Sequence, residues 1–467
     1  MKKLLLSMAV CALGLYPVAA RAQASFPSDT VPDLAPQVSA RALPPLSGKR
    51  LPLSLNECID IALSSNPTVK VADMEVTRAD YSKKETLAQL FPNVNFSGVY
   101  QRAIELQTVS MNMGGETQSF KMGSDNTWNF GFSVALPLVA PQLWKSLKLS
   151  DTQILQNVES ARASRLDLIN SVKKAYLALL LAKASYGVIA SNYNIAVYNA
   201  SVFRKRFNQG TATEYDTLRS AVQVKNIEPD LLQSDIAIRQ ARLQLKVLLN
   251  LEQGVDVDAT STLDDLRNEM GLRLNLSDKD LAGNTSLRSM DLQKKMLEQT
   301  VTLRKMDWMP TLSASFNYTW NSLNNGSPFR NTQFNPYSTL GLQLNVPIFS
   351  GGSKYYGLKG AKTQLAEIGL QRENLVNSLN MQVDLALDNI RREATQIEVS
   401  RSGMAESAKA YSIMQRSFDI GAATYLDLRD SELANTTAQL SYYQSVYNYL
   451  VSISELEYLL GKDYTKK

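Results

Sequence analysis

The sequence of 467 residues contains no histidine and only two cysteines. Without histidine the chain lacks the commonest general base and metal ligand of proteins, so catalytic triads and imidazole–zinc sites are excluded. Neither clustered carboxylates nor a glycine-rich phosphate loop takes their place. We therefore expect no enzyme, no catalytic residue, no bound cofactor and no metal site.

The sequence also lacks a strong excess of either charge. The net charge is +5, and removal of the leader described below, with Lys2, Lys3 and Arg21, lowers it to +2. A protein that binds nucleic acid would need a larger basic excess, so no nucleic-acid partner is expected. A hydrophobic fraction of 44% with a mean hydropathy of -0.19 disfavours both a disordered chain and a bundle of membrane-spanning helices.

The first residues predict export. A basic start at 1–3, an apolar run at 4–15 and an Ala-Arg-Ala cleavage site are typical of a signal peptide. Cys11 lies inside this leader and is not preceded by a lipoprotein box, so no lipid anchor is expected. Cys58 is then the only cysteine of the mature chain, and we predict an apolar helix-face residue rather than a reactive thiol.

The chain contains an internal repeat. An offset of 211 residues aligns Val172 with Val383, Ala175 with Ala386, Gly210 with Gly421, Thr213 with Thr424, Asp216 with Asp427 and Leu249 with Leu460. Each half is predicted to hold a helix, two strands joined by a loop, a very long helix, a tight turn and a last helix. The predicted organisation is a signal peptide (1–22), a proline-rich extended segment (23–52), a first repeat (53–251), an equatorial insertion (252–285), a second repeat (286–461) and a short tail (462–467).

Four segments alternate apolar and polar residues with period two, as strands do: 91–100, 128–136, 311–320 and 339–346. Their lengths are near the ~9–11 residues of a tilted membrane strand. Aromatic residues lie toward the strand ends, where an interfacial girdle is expected: Tyr100, Trp128, Tyr318, Trp320 and Tyr337. A water-soluble sheet with one buried face is the alternative.

Four strands cannot close a membrane barrel, and an open sheet edge is not tolerated in lipid. If the strands cross a membrane, they must be completed by further copies of the chain, and three copies supply twelve strands. The loops at 102–126 and 321–336 would then face the outside.

Two proline-free stretches of roughly 70 residues precede Gly210 and Gly421. Apolar and small residues recur along both with alternating spacings of three and four, which predicts very long coiled-coil helices. A capping box at Ser54 predicts a helix to about residue 90 that is interrupted or bent near Pro67. A further helix is expected over 213–250, with a kink at Pro229.

The element order, the duplication, the leader, the opening at 53–67 and the Arg-x-x-x-Gly-x-x-Thr-x-x-Asp turns together resemble the TolC family of outer-membrane channel proteins, over about residues 51–462. The resemblance implies a membrane α/β-barrel fold: a homotrimer in outer-membrane lipid whose twelve-stranded barrel continues as a coiled-coil α-helical barrel across the periplasm. It also implies a periplasmic adaptor protein and an inner-membrane pump as partners. The chain would be a passive exit duct.

Both turns carry helix-capping residues. Gly210 and Gly421 suit the left-handed position after a helix, Thr213 and Thr424 suit N-caps, and an aspartate follows each cap at the third helical position. In the resembled family such hairpin tips form the periplasmic aperture and meet the adaptor. The implied adaptor-contacting residues are Gly210, Thr211, Ala212, Thr213, Gly421, Ala422, Ala423 and Thr424.

The resemblance assigns the pore aperture to Asp216, Asp427 and Asp430, as rings of carboxylates around the trimer axis. Capping already explains Asp216 and Asp427, so Asp430 is the better gate candidate. Ala423 stands where the family can have a basic residue that helps hold the aperture closed. The expected cargo is small toxic molecules, and the open alternatives are a duct for type I protein secretion and a trimeric structural coiled coil.

Overall fold

The structure is a computed structural model that describes residues 49–113, 116–252, 254–271, 279–330 and 332–462. The predicted signal peptide and nearly all of the proline-rich segment lie outside the described residues. The helices are α1 (Leu55–Ser65), α2 (Pro67–Ala88), α3 (Pro141–Asn208), α4 (Glu214–Leu249), α5 (Leu263–Gly271), α6 (Thr285–Met306), α7 (Ser353–Asp419) and α8 (Tyr425–Leu460). The strands are β1 (Lys49–Leu53), β2 (Asn93–Arg102), β3 (Gln107–Met113), β4 (Glu116–Met122), β5 (Asn126–Val139), β6 (Val255–Ala259), β7 (Thr311–Asn324) and β8 (Asn335–Asn345).

The repeat is visible in the helix lengths. α3 has 68 residues and α7 has 67, while α4 and α8 have 36 each. At ~1.5 Å per residue, α3 and α7 each extend about 100 Å. The two very long helices and the helices that follow them are confirmed. α4 runs through Pro229 without interruption, and a kink there stays a prediction.

The predicted break at Pro67 is confirmed, and its cause is local. α1 ends at Ser65, and Asn66 has extended backbone geometry that suits a residue before proline. The Asn66 side chain accepts a hydrogen bond from the Thr68 amide and so caps α2. The Asn66 side-chain Nδ2 also donates to the Leu248 carbonyl, which ties this bend to α4.

Four strands form one antiparallel sheet in the order β2-β5-β7-β8. The register aligns the apolar positions of all four strands on one face: Phe96 lies opposite Phe132, Phe132 opposite Tyr318, and Phe316 opposite Leu340. The other face carries small and polar residues such as Asn95, Ser133, Asn317 and Thr339. The predicted alternation is thus confirmed across the whole sheet.

The girdle prediction needs one correction. Tyr100, Trp128, Tyr318 and Trp320 belong to the apolar face, but Tyr337 lies opposite Thr319 and therefore on the polar face. The physical reason is the period of two, which places every odd-numbered residue of β8 on that face. Proximity to a strand end does not decide which face a residue occupies.

Two pairings were not predicted. β3 and β4 form an antiparallel hairpin within the predicted loop at 102–126. β1 and β6 pair in parallel, so the end of the proline-rich segment joins the insertion between the repeats. Against this pair lies the main core, formed by residues of α1, α3, α4 and α8, in which the predicted apolar role of Cys58 is confirmed by its complete burial.

No helix in the described part of the chain is both long enough and apolar enough to span a membrane. The long helices instead carry narrow apolar seams. In α3 the seam includes the buried residues Leu168, Val172, Ala175, Leu179 and Ala196. The neighbouring helix α4 packs against α3 along most of its length.

Candidate functional site: two helical hairpin tips

The first hairpin tip joins α3 to α4. Gly210 has φ +72°, a left-handed conformation that favours glycine, and the Thr211 amide donates to the Arg206 carbonyl at 2.8 Å. Thr213 has extended geometry, and its hydroxyl accepts from the Asp216 amide at 3.1 Å. The predicted glycine, cap and aspartate roles are all confirmed here.

The second tip repeats this turn with one addition. Gly421 has φ +79°, and the Asp427 amide donates to the Thr424 hydroxyl at 3.3 Å. The Asp427 carboxylate also accepts from the Thr424 amide at 3.1 Å, which completes a reciprocal capping box. Hydrogen bonds from the Thr424 hydroxyl and amide hold the pKa of Asp427 below its ordinary value.

Asp430 is exposed, one turn beyond the cap. Among the described residues, no hydrogen bond or ion pair involves its carboxylate, in contrast to the engaged carboxylates of Asp216 and Asp427. The structure thus agrees with the sequence argument that capping does not explain Asp430. It is an exposed acidic residue near the start of α8.

An aromatic cluster brings the two tips together. The ring of Phe203 from α3 lies 4.7 Å from that of Tyr425 and 5.9 Å from that of Phe418, and Leu428 is completely buried beneath them. The side chain of Ala423 packs on this cluster. The structure therefore places the second tip against α3 of the first repeat.

Two arginine side chains contact rings of this cluster, those of Phe418 and Tyr425. The guanidinium carbon of Arg206 lies 5.6 Å from the centre of the Phe418 ring, and that of Arg219 lies 5.9 Å from the centre of the Tyr425 ring. Both distances fit cation–π contacts. These contacts run from the first tip to the second and supply basic groups at the interface, although position 423 itself is alanine.

The sequence argument missed Glu432, which follows Asp430 on α8. Its side chain is buried, and one carboxylate oxygen has no hydrogen-bond partner. Burial raises its pKa to about 7, while the charge of nearby Arg429 acts in the opposite direction. A glutamate on a long amphipathic helix gives no sequence sign of burial, so only the packing of α8 against α7 reveals it.

No group of metal-ligating side chains occurs in the part of the chain that the structure describes. The candidate site is a pair of capped turns that expose an acidic residue.

The comparisons with known proteins agree with this geometry. The family model described as "Outer membrane efflux protein" matches residues 58–251 and 276–462. The outer membrane protein TolC of Vibrio cholerae is 20% identical over 337 residues, which cover 71% of this chain and 76% of TolC. The alkaline protease secretion protein AprF of Pseudomonas aeruginosa is 21% identical over 420 residues, 88% of this chain and 84% of AprF.

Among solved structures, the CmeC outer membrane channel of Campylobacter jejuni superposes with a TM-score of 0.69 at 16% identity, covering 87% of this chain and 85% of CmeC. At this identity the superposition establishes the fold alone. The family match spans most of both repeats. The chain therefore belongs to the outer membrane efflux protein family and is a channel of the outer membrane that extends into the periplasm, not an enzyme.

Proposed function

We propose that three copies of this chain form the exit duct of a tripartite efflux system, in which an inner-membrane pump expels small toxic compounds through a periplasmic adaptor. The observation that carries the proposal is the two-faced sheet. Its apolar face is exposed, and its outer strands β2 and β8 each have only one neighbour among the described residues. Backbone groups at an open edge cannot remain unpaired in lipid, so β2 and β8 must pair with other copies.

A second surface supports self-association. α4 buries one heptad seam against α3 and exposes another on its opposite side. The exposed seam has the three-four spacing of a coiled coil and consists of Tyr215, Leu218, Val222, Leu232, Ile236, Leu243 and Val247. A second copy of the chain is the occupant that fits, because the strands already require one beside it.

The oligomeric state is the first test. The mature protein, extracted from the outer membrane with detergent, should have three times the mass of one chain by light scattering corrected for bound detergent. Ile236→Asp places a charge on the exposed seam and should shift the protein toward smaller species, whereas Asp230→Asn, which changes the charge of an exposed residue of the same helix outside the seam, should not. A stable monomer that needs no detergent would overturn the proposal.

At the other end, we propose that the turn residues 210–213 and 421–424 contact the adaptor and that the acids of the second tip line the aperture. Support comes from the capped, exposed turns and from Asp430, which lacks a partner among the described residues. The adaptor contact can be tested by site-specific photocrosslinking from position 422 in cells. Position 406, exposed farther along α7, serves as the control.

Protein secretion is the second candidate function, because the relative AprF is named for secretion of alkaline protease and is similar over most of the chain. Deletion and complementation of the chromosomal copy separate the two. Efflux predicts greater susceptibility to toxic compounds with unchanged secreted protein. Loss of a secreted protein with unchanged susceptibility would assign the chain to secretion instead.

A further inference from the structure

Aromatic side chains crowd the junction between the sheet and the long helices. We call this region the junction collar and define it as residues 141–150, 304–309 and 353–366, where α3 begins, α6 ends and α7 begins. Trp144, Trp308, Tyr355 and Tyr356 are all exposed there. Tryptophan and tyrosine with an apolar body and a polar tip favour the level of lipid headgroups.

The collar is also strongly basic. These three segments contain seven lysine or arginine residues and one acidic residue. The exposed lysines are Lys145, Lys148, Lys305, Lys359 and Lys362. Within the described chain, no ion pair engages any of these five, whereas Lys174, Lys225 and Lys279 elsewhere in the chain are paired with acids.

The one acidic residue of the collar, Asp307, is held by hydrogen bonds and an ion pair within the protein. Its carboxylate accepts from the Gln142 side chain at 2.6 Å and lies 3.7 Å from Arg304. Its carbonyl accepts from the Lys354 ammonium at 2.6 Å. Asp307 thus ties α3, α6 and α7 together and pairs with none of the five exposed lysines.

Aromatic and basic groups share the same helix face. Tyr355, Lys359 and Lys362 follow each other at spacings of four and three on α7, and the Lys359 ammonium lies 4.8 Å from the centre of the Tyr355 ring. Lysine stems can lie along apolar surface while the ammonium stays at the headgroup level. The opposite end of the sheet differs, because the residues at 102–125 and 325–334 contain three basic and three acidic residues.

We propose that the junction collar binds the phosphate groups of anionic phospholipids in the periplasmic leaflet of the outer membrane. The lipid tails lie on the apolar face of the sheet, the aromatic rings lie at the interface, and the unpaired lysines contact the headgroups. A lysine near an anionic membrane surface is worth about a fivefold gain in binding, so four or five of them suffice to enrich acidic lipid locally. The proposal depends on the outer-membrane location of the sheet and not on the cargo.

The chain's four tryptophans provide the test, since Trp144 and Trp308 lie in the collar while Trp128 and Trp320 lie toward the opposite strand ends. In the double variant W128F/W320F all tryptophan fluorescence comes from Trp144 and Trp308 in the collar. In W144F/W308F it comes from Trp128 and Trp320 at the opposite strand ends. Each is reconstituted into phosphatidylethanolamine bilayers that contain a fixed fraction of brominated phosphatidylglycerol or of brominated phosphatidylethanolamine. Bromine quenches tryptophan fluorescence only at short range.

We expect brominated phosphatidylglycerol to quench the collar tryptophans about two- to threefold more than brominated phosphatidylethanolamine, with the preference decreasing at high salt. The other tryptophan pair should be quenched equally by both lipids. K145Q/K148Q/K359Q/K362Q, made in W128F/W320F, should abolish the preference. The matched control K205Q/K225Q/K295Q/K409Q removes four lysines from the helices outside the collar and should retain it.

Equal quenching of the collar tryptophans by both lipids would overturn the headgroup proposal while leaving the membrane location intact. A preference that survives the collar substitutions, or that disappears equally in the control, would also overturn it. Absence of quenching at both ends would instead remove the sheet from the bilayer, which contradicts the location on which the proposal depends.

Discussion

The two hairpin tips share a turn but differ in the charges that follow it. With the offset of 211 residues, Arg219 of the first tip occupies the position of Asp430 in the second. The arginine lies over the Tyr425 ring of the other tip, whereas the aspartate is exposed and, within the described chain, makes no hydrogen bond or ion pair. At this aligned position the first turn therefore supplies a contact between the hairpins, and the second an exposed acidic residue.

The hydrogen bonds at the two helix N-caps also differ between the tips. Thr424 and Asp427 form a reciprocal box, whereas at the first tip the Asp216 carboxylate accepts only from the Thr213 hydroxyl, at 2.7 Å. Thr211 adds a hydrogen bond from its hydroxyl to the Arg206 carbonyl, which Ala422 cannot make. Duplication preserved the turn geometry, and the polar groups around it diverged.

The largest effect is expected from the cluster that joins the tips. Phe203→Ala removes a buried ring that contacts both Phe418 and Tyr425, and such truncations cost about 3–5 kcal/mol. Amide hydrogen exchange should accelerate in both tips together. Phe207→Ala, one turn along α3 at an exposed ring, is the control and should leave exchange nearly unchanged. Acceleration confined to the first tip would show that the tips are independent.

Glu432 gives the second tip a pH dependence that the first lacks. Burial raises its pKa from 4.5 to about 7, and its neighbours with charged or titratable groups are Arg429, Tyr411 and Tyr425. A raised carboxyl pKa means that the folded state favours the neutral form. The contribution of Glu432 to the stability of the tip is therefore fully present below about pH 4.5 and is lost as the pH rises toward 7.

Glu432→Gln should remove this dependence and stabilise the second tip at pH 8 by about 1–3 kcal/mol, because no buried charge remains. Hydrogen exchange at pH 5.5 and 7.5, corrected for intrinsic rates, measures it. Glu406→Gln on the exposed side of α7 is the control. The same pH dependence in wild type and in Glu432→Gln would show that another group titrates.

Removal of the capping carboxylates tests whether the reciprocal box matters. Asp427→Ala removes the carboxylate that accepts from both the Thr424 hydroxyl and the Thr424 amide, and should destabilise the start of α8 by about 1 kcal/mol. Asp216→Ala should cost less, because the Asp216 carboxylate accepts from the Thr213 hydroxyl alone. Exchange rates in the first turns of α4 and α8 measure both. Equal costs would mean that the additional hydrogen bond from the Thr424 amide contributes nothing.

Much of the architecture is local enough to be predicted from the sequence. Gly210, Gly421 and the threonine caps act within their own turns, and the alternation of the strands depends only on the period of two. Contacts between repeats are different, because Phe203 meets Tyr425 only after two helices more than 200 residues apart are packed side by side. The burial of Glu432 and the β3–β4 hairpin likewise depend on tertiary placement or on residues without strong strand preference.

The smallest effect is expected from removal of the Asp430 charge, which has no acidic counterpart at the aligned position of the first tip. Asp430→Asn leaves the capping hydrogen bonds intact, so tip stability should not change. If three copies of Asp430 surround a narrow opening, their removal should raise single-channel conductance or weaken block by multivalent cations by about twofold at low salt, and less at high salt, because mobile ions screen exposed charges. The double variant D427N/D430N should have a larger effect on the same readouts.

Glu214→Gln removes one exposed acid per chain from the first tip and should change neither the single-channel conductance nor the block by multivalent cations. Equal effects of Asp430→Asn and Glu214→Gln would mean that both tips contribute to the field of the aperture, and unchanged single-channel behaviour in D427N/D430N would remove the second tip from the gate.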